Sequence, residues 1–168
     1  MDHSSTSTCG KTQQSVQFEE IYHRHIAMVY RVCLSYLKNR DDAEDAAADV
    51  FLRLWRANKS FPSAEYEKAW LLRVTVNRCL DHLKKRDNRN ERIDNHVLMQ
   101  GGDPFSEDET LAAILALPER YKAVIYMYYY EGYTSKEIAA ILRKPPSTIR
   151  SHLQEARRIL KGVLSDEE

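Results

Sequence analysis

The chain has little of several things, and each scarcity narrows what it can be. Only five glycines and five prolines interrupt 168 residues. With long stretches of helix formers between them, this favours an all-α fold over a strand-and-turn architecture. Cysteine is scarce, odd in number and scattered at Cys9, Cys33 and Cys79. That excludes a disulfide framework and suits a reducing cytosol. Cys33 and Cys79 fall on apolar helix faces, where a free thiol behaves as a small hydrophobe. The six histidines make no metal-ligand spacing with the cysteines, so no metal and no cofactor is expected. No apolar run approaches the ~18 residues of a membrane span, and Met1 to Ser15 is rich in Ser, Thr and Gln with no apolar signal core. A soluble, cytoplasmic protein without membrane insertion is expected, with residues 1–15 as a frayed, disordered tail. Charge of one sign is also lacking: 25 basic residues balance 25 acidic ones. That argues against nucleic-acid binding unless the charges are segregated.

What is present is helical periodicity. Phe18, Ile21, Tyr22, Val29, Val32, Cys33, Tyr36 and Leu37 step along one face of a first helix. Asp41 with Glu44 reads as a capping box opening a second helix, which buries Ala43, Ala47, Val50, Phe51, Leu54 and Trp55 and ends near Asn58. A third runs from about Glu67 to Arg86 with Leu72, Val76, Cys79 and Leu83 inward. Composition then changes: residues 87–107 hold little apolar material and contain Gly101-Gly102 and Asp103-Pro104, the mark of a flexible linker. Two small helical domains are therefore expected, over 16–86 and 108–164.

The second domain ends in a helix-turn-helix pattern. Thr134-Ser135-Lys136-Glu137 is a capping box, and Ile138, Ala139 and Leu142 make the buried stripe. The turn Arg143-Lys144-Pro145-Pro146 leads into a helix from Ser147 to about Lys161 that buries Ile149, Leu153, Ala156 and Leu160. Ser147, Thr148, Arg150, Ser151, His152, Gln154, Arg157 and Arg158 occupy its other faces. From Arg143 to Lys161 there are six Lys or Arg against one acid, Glu155. A polar, basic front on a second helix suits insertion into a major groove, although a solvated basic face would look the same.

In the first domain the charges separate by helix. Asp42, Asp45 and Asp49 place three carboxylates on one face of the second helix, either solvated surface or a docking face for a basic partner. They come from one short helix, with no His or Cys opposite to complete a catalytic or metal site. The third helix is basic: Arg73, Asn77 and Lys84 share a face, and Arg78, Lys85, Arg86, Arg89 and Arg92 extend the charge. Phe61, Tyr66 and Trp70 lie close by. Aromatics beside cations and an Asn compose a surface for unstacked single-stranded bases, or, taken singly, core residues.

The two modules in this order resemble the extracytoplasmic-function (ECF) sigma factors of bacterial RNA polymerase, members of the sigma-70 family. Asp41-Asp42-Ala43-Glu44-Asp45 with Val50-Phe51 and Leu54-Trp55 is similar to that family's polymerase-docking helix. Ala69-Trp70-Leu71, Arg73-Val74, Asn77 and Asp81-His82-Leu83 resemble its helix for the minus-ten element. Leu117-Pro118, Tyr130-Glu131-Gly132, Lys136-Glu137-Ile138-Ala139 and Thr148 to Leu153 with Ala156-Arg157 resemble its minus-thirty-five module. The likeness spans about 140 residues. It departs at Arg143, where Gly is common in the family, at Pro145, where Ser is common, and at Gln154 and Glu155.

The resemblance implies a non-enzymatic specificity subunit whose partners are core RNA polymerase, promoter DNA and an anti-sigma factor. Docking is then carried by Asp42, Asp45 and Asp49. Single-strand contacts fall to Arg73, Asn77, Arg78, Lys84, Lys85 and Arg86, with a flipped base held by Asn77 and the loop from Ser60 to Glu67. Duplex contacts fall to Ser147, Thr148, Arg150, Ser151, His152, Gln154, Arg157 and Arg158. A stand-alone helix-turn-helix regulator is the other reading of the same motif; it predicts a palindromic operator and tight binding without polymerase.

Overall fold

The computed structural model describes residues 5–89 and 109–165, with side chains over 13–89 and 112–162. Among the described residues there are seven helices and no strand: α1 (Ser5–Leu37), α2 (Arg40–Ala57), α3 (Ala64–Asn88), α4 (Glu109–Leu115), α5 (Glu119–Tyr129), α6 (Ser135–Leu142) and α7 (Pro146–Ser165). The all-α class with a helix-turn-helix in the C-terminal half is as expected. Most of the expected linker, residues 90–107, lies outside the described residues.

The helix ends show why each element starts and stops where it does. The first departs from expectation, since 5–15 belongs to α1 instead of fraying. The amide of Gln14 donates to the Trp55 carbonyl at 3.3 Å, which ties this extension to α2. α2 is capped by Asn39 and not by Asp41: the Asn39 side chain accepts from the Asp42 backbone N–H at 3.2 Å. α3 starts three residues earlier than its apolar pattern suggests, because Ser63 caps it and its first turn is exposed. Asn58 ends α2 in the left-handed conformation that Asn tolerates. The Thr134–Glu137 capping box at α6 forms as read, in both directions. Arg143 then takes a φ of +54° in the turn, a position where a Cβ costs roughly 1–2 kcal/mol. Pro146 occupies the first turn of α7, where its missing N–H is harmless.

Packing builds two helical groups around one continuous core. Val29, Val32, Cys33 and Leu37 of α1 are buried with Ala43, Ala46 and Val50 of α2 and with Leu71, Leu72 and Cys79 of α3. Val124 and Ile125 of α5 are buried with Ile138 of α6 and with Ile149, Leu153 and Ala156 of α7. Each large aliphatic side chain fully buried in this way stabilises the fold by about 1.5–3 kcal/mol. The last turns of α1 also pack against α4 and α5, so the two groups meet on α1. Trp55 departs from its expected burial. It is 38% exposed and presents an edge to Phe18, with ring centroids 5.2 Å apart.

Candidate nucleic-acid interface

α3 carries two kinds of basic side chain, and its neighbours decide which is which. Asn77, Lys84 and Lys85 are exposed. Arg73 is half-buried and lines a groove with Phe61, Tyr66 and Trp70. Phe61 and Trp70 lie 5.7 Å apart between ring centroids, and the Lys59 ammonium sits 5.7 Å over the Trp70 ring. Tyr66, at 65% exposed, stands free beside them. Rings flanked by cations form a stacking platform for unpaired bases.

Arg78 and Arg86, also expected at the nucleic acid, point into the seam with α2. The Arg78 guanidinium reaches Asp49 at 3.3 Å and Asp81 at 3.5 Å, and its Nε is buried without a hydrogen-bond partner. Arg86 pairs with Asp42 and donates to the Leu37 carbonyl at the end of α1. Both side chains are mostly buried in the seam between α2 and α3, where carboxylates of α2 engage their terminal guanidinium nitrogens. The same contacts redefine the acidic face. Asp42 is held by Arg86, and Asp49 by Arg78 and by His82 at 3.4 Å. Asp45 is exposed and pairs with no described cation, so it is the carboxylate of the three that is free for an outside partner.

On α7 the side chains sort by angle around the helix. Ser147, Arg150, Ser151, Gln154 and Arg158 are exposed along one broad face, with Arg143 and Lys144 of the turn also exposed. Thr148 is half-buried. His152 turns inward: its ring meets Tyr121 edge-on at 5.4 Å, its Nδ1 is buried without a partner, and burial pushes its pKa down. It therefore supports the helix more than it faces solvent. Arg157 donates to the Tyr129 hydroxyl at 3.0 Å and lies 4.9 Å over Tyr128. Those tyrosines brace a basic side chain on the surface. Tyr129 itself is 53% exposed.

Two buried polar groups, the His25–Glu67 pair and Lys122, escaped the sequence pattern, whereas Cys33 and Cys79 are buried as expected. His25 Nε2 and Glu67 Oε1 lie 2.7 Å apart between α1 and α3, with Arg24 also reaching Glu67. The Cys33 and Cys79 side chains meet in the α1–α3 core, and that hydrogen bond and burial raise the Cys79 pKa. Lys122, only 1% exposed, donates from α5 to the Ser35 carbonyl of α1 at 2.6 Å; burial lowers its pKa to about 8. Lys122 sits beside the apolar stripe of α5, so local periodicity marks it as surface. Among the described residues no group of three His, Cys, Asp or Glu could hold a metal, and no helix is long and apolar enough to cross a membrane.

Known proteins are similar to this chain in sequence and in fold. Residues 21–89 match the family model for Sigma-70 region 2, and residues 107–160 match that for Sigma-70, region 4. The chain is 28% identical over 159 residues to the ECF RNA polymerase sigma factor SigE of Mycolicibacterium smegmatis, covering 88% of this chain and 62% of that protein. Thus it spans less than two thirds of that relative's length. It is also 28% identical over 142 residues to the RNA polymerase sigma factor SigV of Bacillus subtilis, covering 83% of this chain and 86% of that one. Among solved structures, the sigma factor RpoE in complex with the anti-sigma factor NepR from Bartonella quintana superposes with a TM-score of 0.73 at 22% identity. That match covers 90% of this chain and 99% of RpoE. At this identity the likeness speaks to the fold alone.

Proposed function

From the membership of this chain in the ECF branch of the sigma-70 family, we propose that it is a sigma factor: it binds core RNA polymerase and directs promoter recognition, DNA melting and initiation. The observation that carries the reading is the pairing of two different nucleic-acid surfaces on one chain. One, on α3 and the loop before it, offers aromatic rings and cations for single-stranded bases. The other, on α7, offers a polar and basic helix face for a duplex groove. A promoter opened by polymerase presents both kinds of DNA at once. The protein acts without catalysis of its own, in the cytoplasm where polymerase is, and an anti-sigma factor of the kind seen with RpoE is its expected antagonist.

Division of labour follows from the exposed residues. Asp45, assisted by the rim of Asp42 and Asp49, docks on a basic surface of polymerase. Asn77, Arg73 and the segment from Ser60 to Glu67, a loop followed by the first turn of α3, hold a flipped base, with Lys84 and Lys85 on the adjacent backbone. Arg150, Ser147, Ser151, Gln154 and Arg158 face the upstream duplex, with Thr148 and Arg157 at its edge. Tethering the two modules raises the effective concentration of the second contact once the first is made. Weak binding by each module alone is then sufficient, in keeping with a net charge of zero.

Replacing Asn77 with Ala should impair promoter opening while leaving the melting temperature unchanged, since the side chain is exposed. A lost hydrogen bond to a flipped base costs about 1–3 kcal/mol, or roughly 5- to 150-fold in open complexes. Permanganate footprinting of holoenzyme checks this, and unaltered thymine reactivity removes Asn77 from the site. Arg150→Ala should weaken upstream binding and reduce the log–log salt slope by about one unit if it contacts a phosphate. Filter binding of holoenzyme across a salt series reads that slope. Pull-down of core polymerase by the purified chain tests the function as a whole. Tight palindromic DNA binding with no polymerase captured would make it a stand-alone regulator.

A further inference from the structure

A second groove, at the end of α1 and the start of α5, gathers positive charge. It encloses about 530 Å³, the size of a small-molecule site. Lys38, Arg120 and Lys122 line it against one acid, Glu119. No described carboxylate forms an ion pair with any of the three cations. Lys122 is the most confined of them. It is 1% exposed, and its ammonium has one described partner, the Ser35 carbonyl at 2.6 Å. An ammonium carries three donors, and a buried charge held by a neutral carbonyl alone is poorly compensated. Burial first, and the charge of Lys38 second, lower its pKa to about 8, while Glu119 and Cys79 oppose that shift. α5 also begins in this groove with no side chain capping its first N–H groups. The positive end of its dipole therefore adds to the three cations.

We propose that this groove binds a small phosphorylated anion of the nucleoside polyphosphate class, with the phosphates on Lys38, Arg120 and Lys122. Three cations and one carboxylate leave two positive charges uncompensated, which a di- or triphosphate matches and a lone carboxylate does not. The rest of the lining is apolar. Leu83, Leu117 and the ring of Tyr36 are nearly buried, and their exposed edges offer a surface for a base or sugar. Arg120 is exposed at the rim, with its guanidinium 4.9 Å over the Tyr121 ring. None of these cations belongs to the two DNA surfaces described above. An anion beside Lys122 favours its charged form, so binding near pH 8 takes up protons.

Isothermal titration of the full chain with ATP, at pH 8 and without divalent cations, tests the site. One molecule should bind per chain; pyrophosphate should displace it and adenosine should not. Lys38→Asn places a residue that tolerates the φ of +55° found there, and Arg120→Gln changes an exposed side chain. Both variants should fold, and each should lose roughly tenfold or more in affinity. Titration in two buffers of different ionisation enthalpy should show uptake of up to about half a proton by the unaltered chain. Lys122→Met should show none, with circular dichroism checking its fold; if it fails to fold, the two surface variants decide. Arg150→Ala, which removes a cation from α7, should bind ATP as the unaltered chain does. The proposal is overturned by no saturable binding at millimolar ATP, or by undiminished binding in both Lys38→Asn and Arg120→Gln. An equal loss in Arg150→Ala also overturns it, because attraction would then belong to the basic surface at large. Displacement by adenosine and not by pyrophosphate overturns the assignment of the cations to phosphate.

Discussion

Asp45→Lys should abolish measurable docking on core RNA polymerase without disturbing the fold. Asp45 is exposed on α2 and pairs with no described cation, so its reversal removes no internal contact. Against a basic partner surface it turns attraction into repulsion. A like-charge contact at an interface costs several kcal/mol, so affinity should fall by about 100-fold or more. Asp49→Lys should behave differently. It would set a cation against Arg78, whose Nε already lacks a partner, and against His82. Because Asp49 is itself partly exposed, the cost to stability is limited to about 1–2 kcal/mol, yet this is enough to lower the melting temperature visibly. Fluorescence anisotropy against core polymerase, paired with thermal melts of both variants, separates the two effects. A normal melt with undiminished binding for Asp45→Lys would reject docking through this face.

Glu67→Ala should be the most destabilising single change near the site. The carboxylate is buried at the start of α3 and joins His25 at 2.7 Å with Arg24 at 3.2 Å. Its removal strands a buried imidazole opposite a void. Breaking a buried pair in this way costs about 3–5 kcal/mol. For a chain of this size, that corresponds to a fall of roughly 10 °C in melting temperature. Glu67→Gln keeps an oxygen for hydrogen bonding and should lose less. Urea titration of both variants provides the comparison, with a lower midpoint at unchanged slope as the expected signature. Equal losses for Ala and Gln would mean that charge, and not the hydrogen bond, holds α1 to the first turn of α3. Because Glu67 anchors the first turn of α3, directly after the loop from Ser60 to Ser63, Glu67→Ala should also blunt promoter opening beyond its effect on stability.

Much of this protein was legible in its sequence because the relevant physics is local. The stripe Val29, Val32, Cys33, Leu37 buries as its spacing requires. The Thr134–Glu137 box forms because both partners lie within one helical turn. The basic front of α7 follows from the same periodicity, and so does its inward row of Ile149, Leu153 and Ala156. Errors of boundary, at Asn39 and Ser63, arose where a polar cap outside the apolar stripe set the first turn. What the sequence could not decide was partner choice between helices. It placed Asp42, Asp49, Arg78 and Arg86 on charged faces, but not against one another. Those pairs join residues 44 and 29 positions apart, and Lys122 reaches Ser35 across 87. Periodicity tells which side of a helix is apolar; it carries no record of which polar side chain on the rim will meet a partner. Only the packing of α2 on α3, and of α5 and α6 on α1 and α3, spends some charges inside the fold and leaves Asp45, Asn77 and Arg150 free. Desolvation is the reason: a charge brought into a helix seam must be paired there, and one left outside remains available to polymerase and DNA.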